Sequence, residues 1–142
     1  MRVLLDTNVI VDVLQKRQPW YPSCKEIFAA VAYQDITGCI TAKQAGDIYF
    51  FACKQFRGEP NIDAKARKIL NNLFALFELI DSRGIDCEMA LVRENGDFED
   101  AMLIESAVRE KIDCIVTRNP THFKNSPVAV HDPESFVKWL KH

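Results

Sequence analysis

The sequence predicts an α/β fold, a three-layer α/β/α sandwich with a central parallel sheet of about five strands in the order 3-2-1-4-5. Three observations predict it. Short apolar runs alternate with longer amphipathic stretches along the whole chain, and strands separated by helices need crossovers, hence parallel pairing beneath helices. Within the longer stretches apolar residues recur at three and four, the period of a helix. Acids fall at the ends of the apolar runs, as in Val3-Leu4-Leu5-Asp6, which is where an open parallel sheet presents its ligand-binding rim.

Taken in order, residues 2–5 form the first strand and Asp6 follows it directly. Thr7-Asn8 offers N-cap oxygens to a helix running to about Lys16, with Val9, Val13 and Leu14 on one face. Gln18-Pro19-Trp20-Tyr21-Pro22 breaks it, and Ser23 is the N-cap expected for a second helix carrying Ile27, Phe28, Val31 and Ala32 inward. Ile36–Ile40 is the second strand. Thr41 then opens a third helix whose apolar positions are Ala45, Ile48, Tyr49, Ala52 and Phe56. Gly58-Glu59-Pro60-Asn61 ends that helix, and a fourth starts at Asn61 or Ile62, with Ala66, Ile69, Leu70 and Leu73 inside. Phe77–Ile80 reads as the third strand, followed by a short helix from Asp86 and a longer one from about Phe98 to Lys111. Strand four spans 113–117, strand five 127–130, and Asp132-Pro133 begins a terminal helix. No repeat, low-complexity tract or Pro/Gly-rich linker divides the 142 residues, so a single domain over 1–142 is expected.

Composition narrows the class. With 48% hydrophobic and 27% charged residues the chain is an ordinary globular protein, and its net charge of -2 does not mark a polyanion binder by bulk electrostatics. A local basic rim can coexist with that total. No apolar run approaches the roughly 18 residues of a membrane span, and Asp6 interrupts the first one, so neither a span nor a secretory leader is expected. A cytoplasmic location is the expectation. Five widely spaced cysteines without a C-x-x-C pair, and histidines only at 122, 131 and 142, provide no zinc pattern.

The acids carry the functional expectation. If strands one and four are neighbours, Asp6 and Asn119 (after Cys114-Ile115-Val116-Thr117-Arg118) face each other across the point where strand order reverses. Asp47 enters from the first turns of the helix after strand two, inside an otherwise apolar face. Asp97 and Asp100 lie one helical turn apart. Carboxylates gathered this way repel one another unless a cation sits among them, and carboxylate and amide oxygens suit Mg²⁺ or Mn²⁺ far better than zinc. Such an ion neutralises phosphate oxygens, lowers the pKa of an attacking water and stabilises a leaving oxygen, the needs of phosphodiester hydrolysis. Singly, each acid has a simpler reading: a strand-to-helix turn for Asp6, an N-cap for Asp97, a dipole contact for Asp100.

Together, Leu5-Asp6-Thr7-Asn8, the Asp47 helix, Asp97-Phe98-Glu99-Asp100-Ala101 and Val116-Thr117-Arg118-Asn119 resemble, in order and spacing, a PIN domain over essentially the whole chain. The resemblance implies Mg²⁺- or Mn²⁺-dependent endoribonuclease activity on single-stranded RNA. It also implies a VapC-like toxin held inactive by a cognate antitoxin. By position, Asp6, Asp47 and Asp100 look like the catalytic acids, and Asp6, Asp47, Asp97, Asp100 and Asn119 like the metal ligands. Asn8 and Thr117 resemble supporting residues, with the Thr117 hydroxyl orienting the first acid. Asp47 stands where the family usually has Glu. Asn119 and His122 stand where related sequences often carry Asp, which removes negative charge from the site.

Lys43 and Arg118 lie at the expected rim and would supply sequence-independent RNA phosphate contacts. Lys54 and Arg57 are further basic candidates, whereas Lys65, Arg67 and Lys68 read as a solvated helix face. Trp20 and Tyr21 read as core or a dimer contact rather than base-stacking groups, and Tyr49, Phe50 and Phe51 as packing. An exposed aromatic helix would permit a homodimer. The alternative function is a non-catalytic PIN-like module that binds RNA or protein through a weakened metal site. A phosphoacceptor signalling domain fits poorly, because Ile80-Asp81-Ser82 offers only a weak phosphorylatable acid.

Overall fold

A computed structural model describes residues 1–94 and 97–142. Five strands, β1 (Arg2–Leu5), β2 (Thr37–Thr41), β3 (Glu78–Ile80), β4 (Cys114–Val116) and β5 (Ala129–His131), form one parallel sheet in the order β3-β2-β1-β4-β5. The helices among the described residues are α1 (Thr7–Leu14), α2 (Tyr21–Ala32), α3 (Ala42–Gln55), α4 (Ile62–Leu76), α5 (Gly84–Val92), α6 (Phe98–Arg109) and α7 (Pro133–Leu140), and a 3₁₀ turn spans Pro120–Phe123. The predicted architecture and strand order are both observed.

The alternation of side chains along β1 explains the two cores. Val3 and Leu5 point to one face, into a cluster with Val9, Ile27, Ile48 and Phe136, beneath α1, α2, α3 and α7. Leu4 points to the other, with Ile104, Ala107 and Ile115 beneath α6. All three β1 side chains are fully buried, as a central strand of a helix-covered sheet requires. Gly38 in β2 answers to close packing: a Cβ there would lie 2.6 Å from the Phe77 ring and 2.7 Å from Val31. Cys39 and Cys114 are buried strand residues, and the five cysteines are all free thiols.

Boundaries differ from expectation where one capping signal outcompeted another. Asp6, rather than Thr7 or Asn8, caps α1, and that helix ends at Leu14 rather than Lys16, with Lys16 at φ 50. The second helix begins at Tyr21, with Pro22 in its first turn, instead of being capped by Ser23. In α5 the helix starts at Gly84, because the Asp86 carboxylate reaches back to accept from the Arg83 N–H at 3.0 Å and so lies inside the first turn. The fifth strand falls at 129–131, since the Ser126 hydroxyl donates to Val128 O at 2.7 Å and holds 126–128 as a turn.

Candidate metal-dependent active site

The carboxyl ends of β1, β2 and β4 open onto a cavity of about 390 Å³. Asp6 leaves β1 in extended conformation and becomes the N-cap of α1. Its carboxylate accepts from the Thr7 N–H and from the Thr117 hydroxyl, each at 2.7 Å, and from the Asn8 amide at 3.4 Å. Its own N–H donates to Val116 O at 2.9 Å, fastening the end of β1 to the end of β4. Burial pushes the Asp6 carboxyl above the ordinary carboxylate range. The Thr117 and Thr7 hydrogen bonds and the Arg118 charge oppose that rise, and the Asp97 charge adds to it.

A capping box sets α3. Thr41 accepts from the Gln44 N–H at 3.2 Å and the Gln44 side chain accepts from the Thr41 N–H at 2.8 Å. Gln44 is buried and its amide nitrogen also donates to Leu5 O at 2.8 Å, which ties α3 to the end of β1. That anchorage places Lys43 and Asp47 on the cavity wall. The Lys43 ammonium lies 2.7 Å from Asp47 and 3.1 Å from Glu99, so it already neutralises part of the acid set.

Across the cavity, Asp97 caps α6 by accepting from the Glu99 and Asp100 N–H groups at 2.7 and 3.2 Å. Asp100 is pushed up to about 6, first by burial and then by the charges of Asp6 and Asp97. His122 Nδ1, 3.4 Å from the Asp100 carboxylate, pulls the other way. Two acids from distant segments thus feel each other strongly enough to raise a pKa, the mark of carboxylates gathered without a full counter-charge.

The sequence-predicted residues divide accordingly. Asp6, Asn8, Lys43, Asp47, Asp100 and Arg118 all line the one cavity, and buried Thr117 supports Asp6 from behind. Asp97 and Asn119 are not on its lining. Asn119 is exposed, and its backbone N–H donates to Thr117 Oγ1 at 3.1 Å. Arg118 differs most from its expected place: its guanidinium is 3.0 Å from Asp12 and lies 3.9 Å over the Trp20 ring. Phe50 and Phe51, expected as packing, line the cavity instead, and Phe50 is 58% exposed.

Two residues escaped the sequence reading. Glu99 completes the Lys43 bridge, although Asp97-Phe98-Glu99-Asp100 puts it in the same first turn. Asp12 is fully buried, and the signal was an acid inside Val9-Ile10-Val11-Asp12-Val13-Leu14. Among the described residues no group of three or more His, Cys, Asp or Glu side chains is arranged so that it could hold a metal ion. The donor chemistry nevertheless fits a hard divalent cation, because Asp6 and Asp100 offer oxygens only and both are raised by burial that a bound cation would offset.

Known structures share this arrangement of strands and helices. FitAcB from Neisseria gonorrhoeae aligns with a TM-score of 0.70 at 17% identity, covering 93% of this chain and 98% of that one. A toxin–antitoxin complex from Klebsiella pneumoniae aligns with a TM-score of 0.66 at 21% identity, covering 92% and 97%. VapC20 from Mycobacterium tuberculosis, a sarcin–ricin loop cleaving toxin, gives 0.60 at 15% identity over 80% and 86%. At these identities the likeness is one of fold. No curated protein matches the sequence. The sequence profile of the PIN domain matches residues 2–121, nearly the whole chain, and the protein therefore belongs to the PIN domain family.

Proposed function

We propose that this protein is a metal-dependent endoribonuclease that hydrolyses phosphodiester bonds of single-stranded RNA, acting as the toxin of a toxin–antitoxin pair. The observation that carries the reading is the convergence of Asp6, Asp47 and Asp100, from three separate segments, on one cavity at the carboxyl edge of the sheet. Asp6 and Asp100 would hold a Mg²⁺ or Mn²⁺ ion, with Asp97 beside them and Asp47 joining once Lys43 releases it. When bound, such an ion lowers the pKa of a water and neutralises phosphate oxygens.

The chain's own residues do the rest. The Thr117 hydroxyl, the Thr7 N–H and the Asn8 amide fix the Asp6 carboxylate on the cavity lining. Lys43, between Asp47 and Glu99, is placed to exchange its carboxylate partners for an RNA phosphate. The toxin role draws on the fold partners, among them a VapBC complex from Salmonella typhimurium solved with DNA, and a small antitoxin reading frame next to the gene would accord with it.

The test is cleavage of an unstructured RNA with Mn²⁺. The wild-type protein cuts it, and Asp6→Asn does not while retaining its circular dichroism spectrum. Equal cutting by the variant at equal purity removes the proposal. One observation favours a second reading, a non-catalytic RNA- or protein-binding module: Lys43 occupies Asp47 and Glu99 in the manner of a resident cation. Calorimetric titration separates the two, since absence of heat with millimolar Mn²⁺ supports the binder.

A further inference from the structure

The acid-lined cavity has a second wall of different chemistry. Along α3, Gln44, Ile48 and Ala52 recur at four and face the core, all of them buried. A neighbouring stripe, Lys43, Asp47, Phe50, Phe51 and Lys54, follows the same helical spacing about one third of a turn away and runs for about 16 Å of helix axis. Its first four members line the cavity. Phe50 and Phe51 pack edge to face, with ring centroids 6.4 Å apart, yet Phe50 keeps 58% of its surface in solvent. The exposed Phe50 ring thus forms part of the cavity wall rather than of the core.

Cations stand over these rings. Lys54 Nζ is 4.5 Å from the Phe50 centroid and 5.8 Å from that of Phe51, and the Arg17 guanidinium is 5.9 Å from Phe51. Among the described residues Lys54 is exposed and has no carboxylate partner, so its charge is free for an anion. One cavity thus carries the acids Asp6 and Asp100 together with aromatic rings that have cations over them, Arg17 on its lining and Lys54 one helical turn on from Phe50. A ligand that answers both halves carries a flat π-face and a phosphate at neighbouring positions, which is the repeat of a single-stranded nucleic acid.

The geometry points to Phe50 and Phe51 as a base-stacking wall and to Lys54 as its phosphate contact, together seating the nucleotide next to the scissile one on single-stranded RNA. This rests on the nuclease reading of the cavity and adds the substrate-positioning residues to it. An acidic peptide covers the rings only where it happens to carry apolar side chains, whereas every nucleotide brings a π-face with its phosphate, so the nucleic acid is the better match.

The experiment measures binding, which keeps it separate from cleavage. Fluorescence anisotropy with a labelled, short, unstructured RNA is read on the full-length Asp6→Asn protein. Adding Phe50→Ala weakens binding about tenfold and Phe50→Trp restores it. An oligonucleotide with an abasic site in each stacking register loses the same factor on the Asp6→Asn protein, and none further on the Phe50→Ala variant. Lys54→Ala lowers the salt slope of log Kd by about one. Phe74→Ala, an exposed aromatic of α4 off the cavity lining, changes nothing. Unchanged affinity in Phe50→Ala overturns the inference, assigning the wall to another partner, and leaves nuclease activity standing. Phe50-dependent binding without wild-type cleavage upholds the wall and sinks the nuclease reading instead.

Discussion

Replacing Arg118 by methionine tests the hidden charge pair beneath the cavity. Asp12 is 0% exposed and Arg118 is 20% exposed, with 3.0 Å between Nε and Oδ2. Among the described residues neither Asp12 carboxylate oxygen nor Arg118 Nε has an aligned hydrogen bond, so the contact is held by charge and by the Trp20 stack rather than by directional bonding. Arg17, the other cation, is 3.9 Å away. Arg118→Met keeps the aliphatic stem and leaves the buried carboxylate only the more distant Arg17, which costs up to about 3–5 kcal/mol. Loss of the cation over Trp20 adds about 1 kcal/mol. That is a large part of a typical domain's 5–15 kcal/mol.

The sign with pH follows from Asp12. Burial already pushes its carboxyl above the ordinary range, opposed by Arg118 and then Arg17, so removing Arg118 raises it further. A raised carboxyl makes folding favour the protonated form. The deficit is therefore greatest well above that folded value and shrinks as pH falls through it. Urea unfolding at neutral and mildly acidic pH measures both. The double variant Asp12→Leu/Arg118→Met returns to within about 1 kcal/mol of wild type, because it removes the desolvated charge along with its partner. A loss below about 1 kcal/mol in Arg118→Met, without pH dependence, refutes the reasoning.

Three further outcomes are expected. Asp86 is buried and accepts from the Arg83 N–H, Ser106 and both Nε and Nη2 of Arg109; burial would raise its pKa, but these bonds outweigh burial and hold it below the usual range. Its contribution is present above the unfolded carboxylate value and is lost as pH falls through the folded one, so acid unfolding of Asp86→Asn shows a weaker pH dependence than wild type, and an identical profile would contradict this. Gly38→Ala forces a Cβ to within 2.6 Å of the Phe77 ring and costs about 1–3 kcal/mol in thermal unfolding, and an unchanged melting temperature would count against it. Lys43→Met changes stability by less than about 1 kcal/mol, since that pair is half exposed, but tightens Mn²⁺ binding by freeing Asp47 and Glu99; unaltered affinity in calorimetry would place Asp47 outside the ion's reach.

The fold was legible because β1 after Arg2, and β4 throughout, are short apolar runs bounded by polar residues, and a buried parallel strand can be little else. The placement of Asp6 was legible for the same reason: once β1 and β4 pair, Asp6 has no place to go but the switch point. Less legible were side chains whose fate depends on a distant partner. Asp12 reads as an intrusion in an apolar helix until Arg118, more than a hundred residues on, explains it. Arg118 looked like a free rim cation because spacing says where a side chain starts and nothing of where its far end settles. Phe50 and Phe51 looked like core because their aromatic character outweighed a phase that sets them off the buried stripe of α3. Asn119 follows β4 as expected, yet the chain turns at Pro120 and leaves it exposed beside the cavity rather than on its wall.

Mn²⁺ titration of the wild-type protein and of Asp100→Asn, followed by electron paramagnetic resonance of the free ion, tests the central claim most directly. The account predicts a stoichiometric site in the wild type, with binding at least tenfold weaker in the folded variant. Equal Mn²⁺ uptake by the two proteins would contradict it, because the ion would then sit somewhere other than among the acids at the switch point.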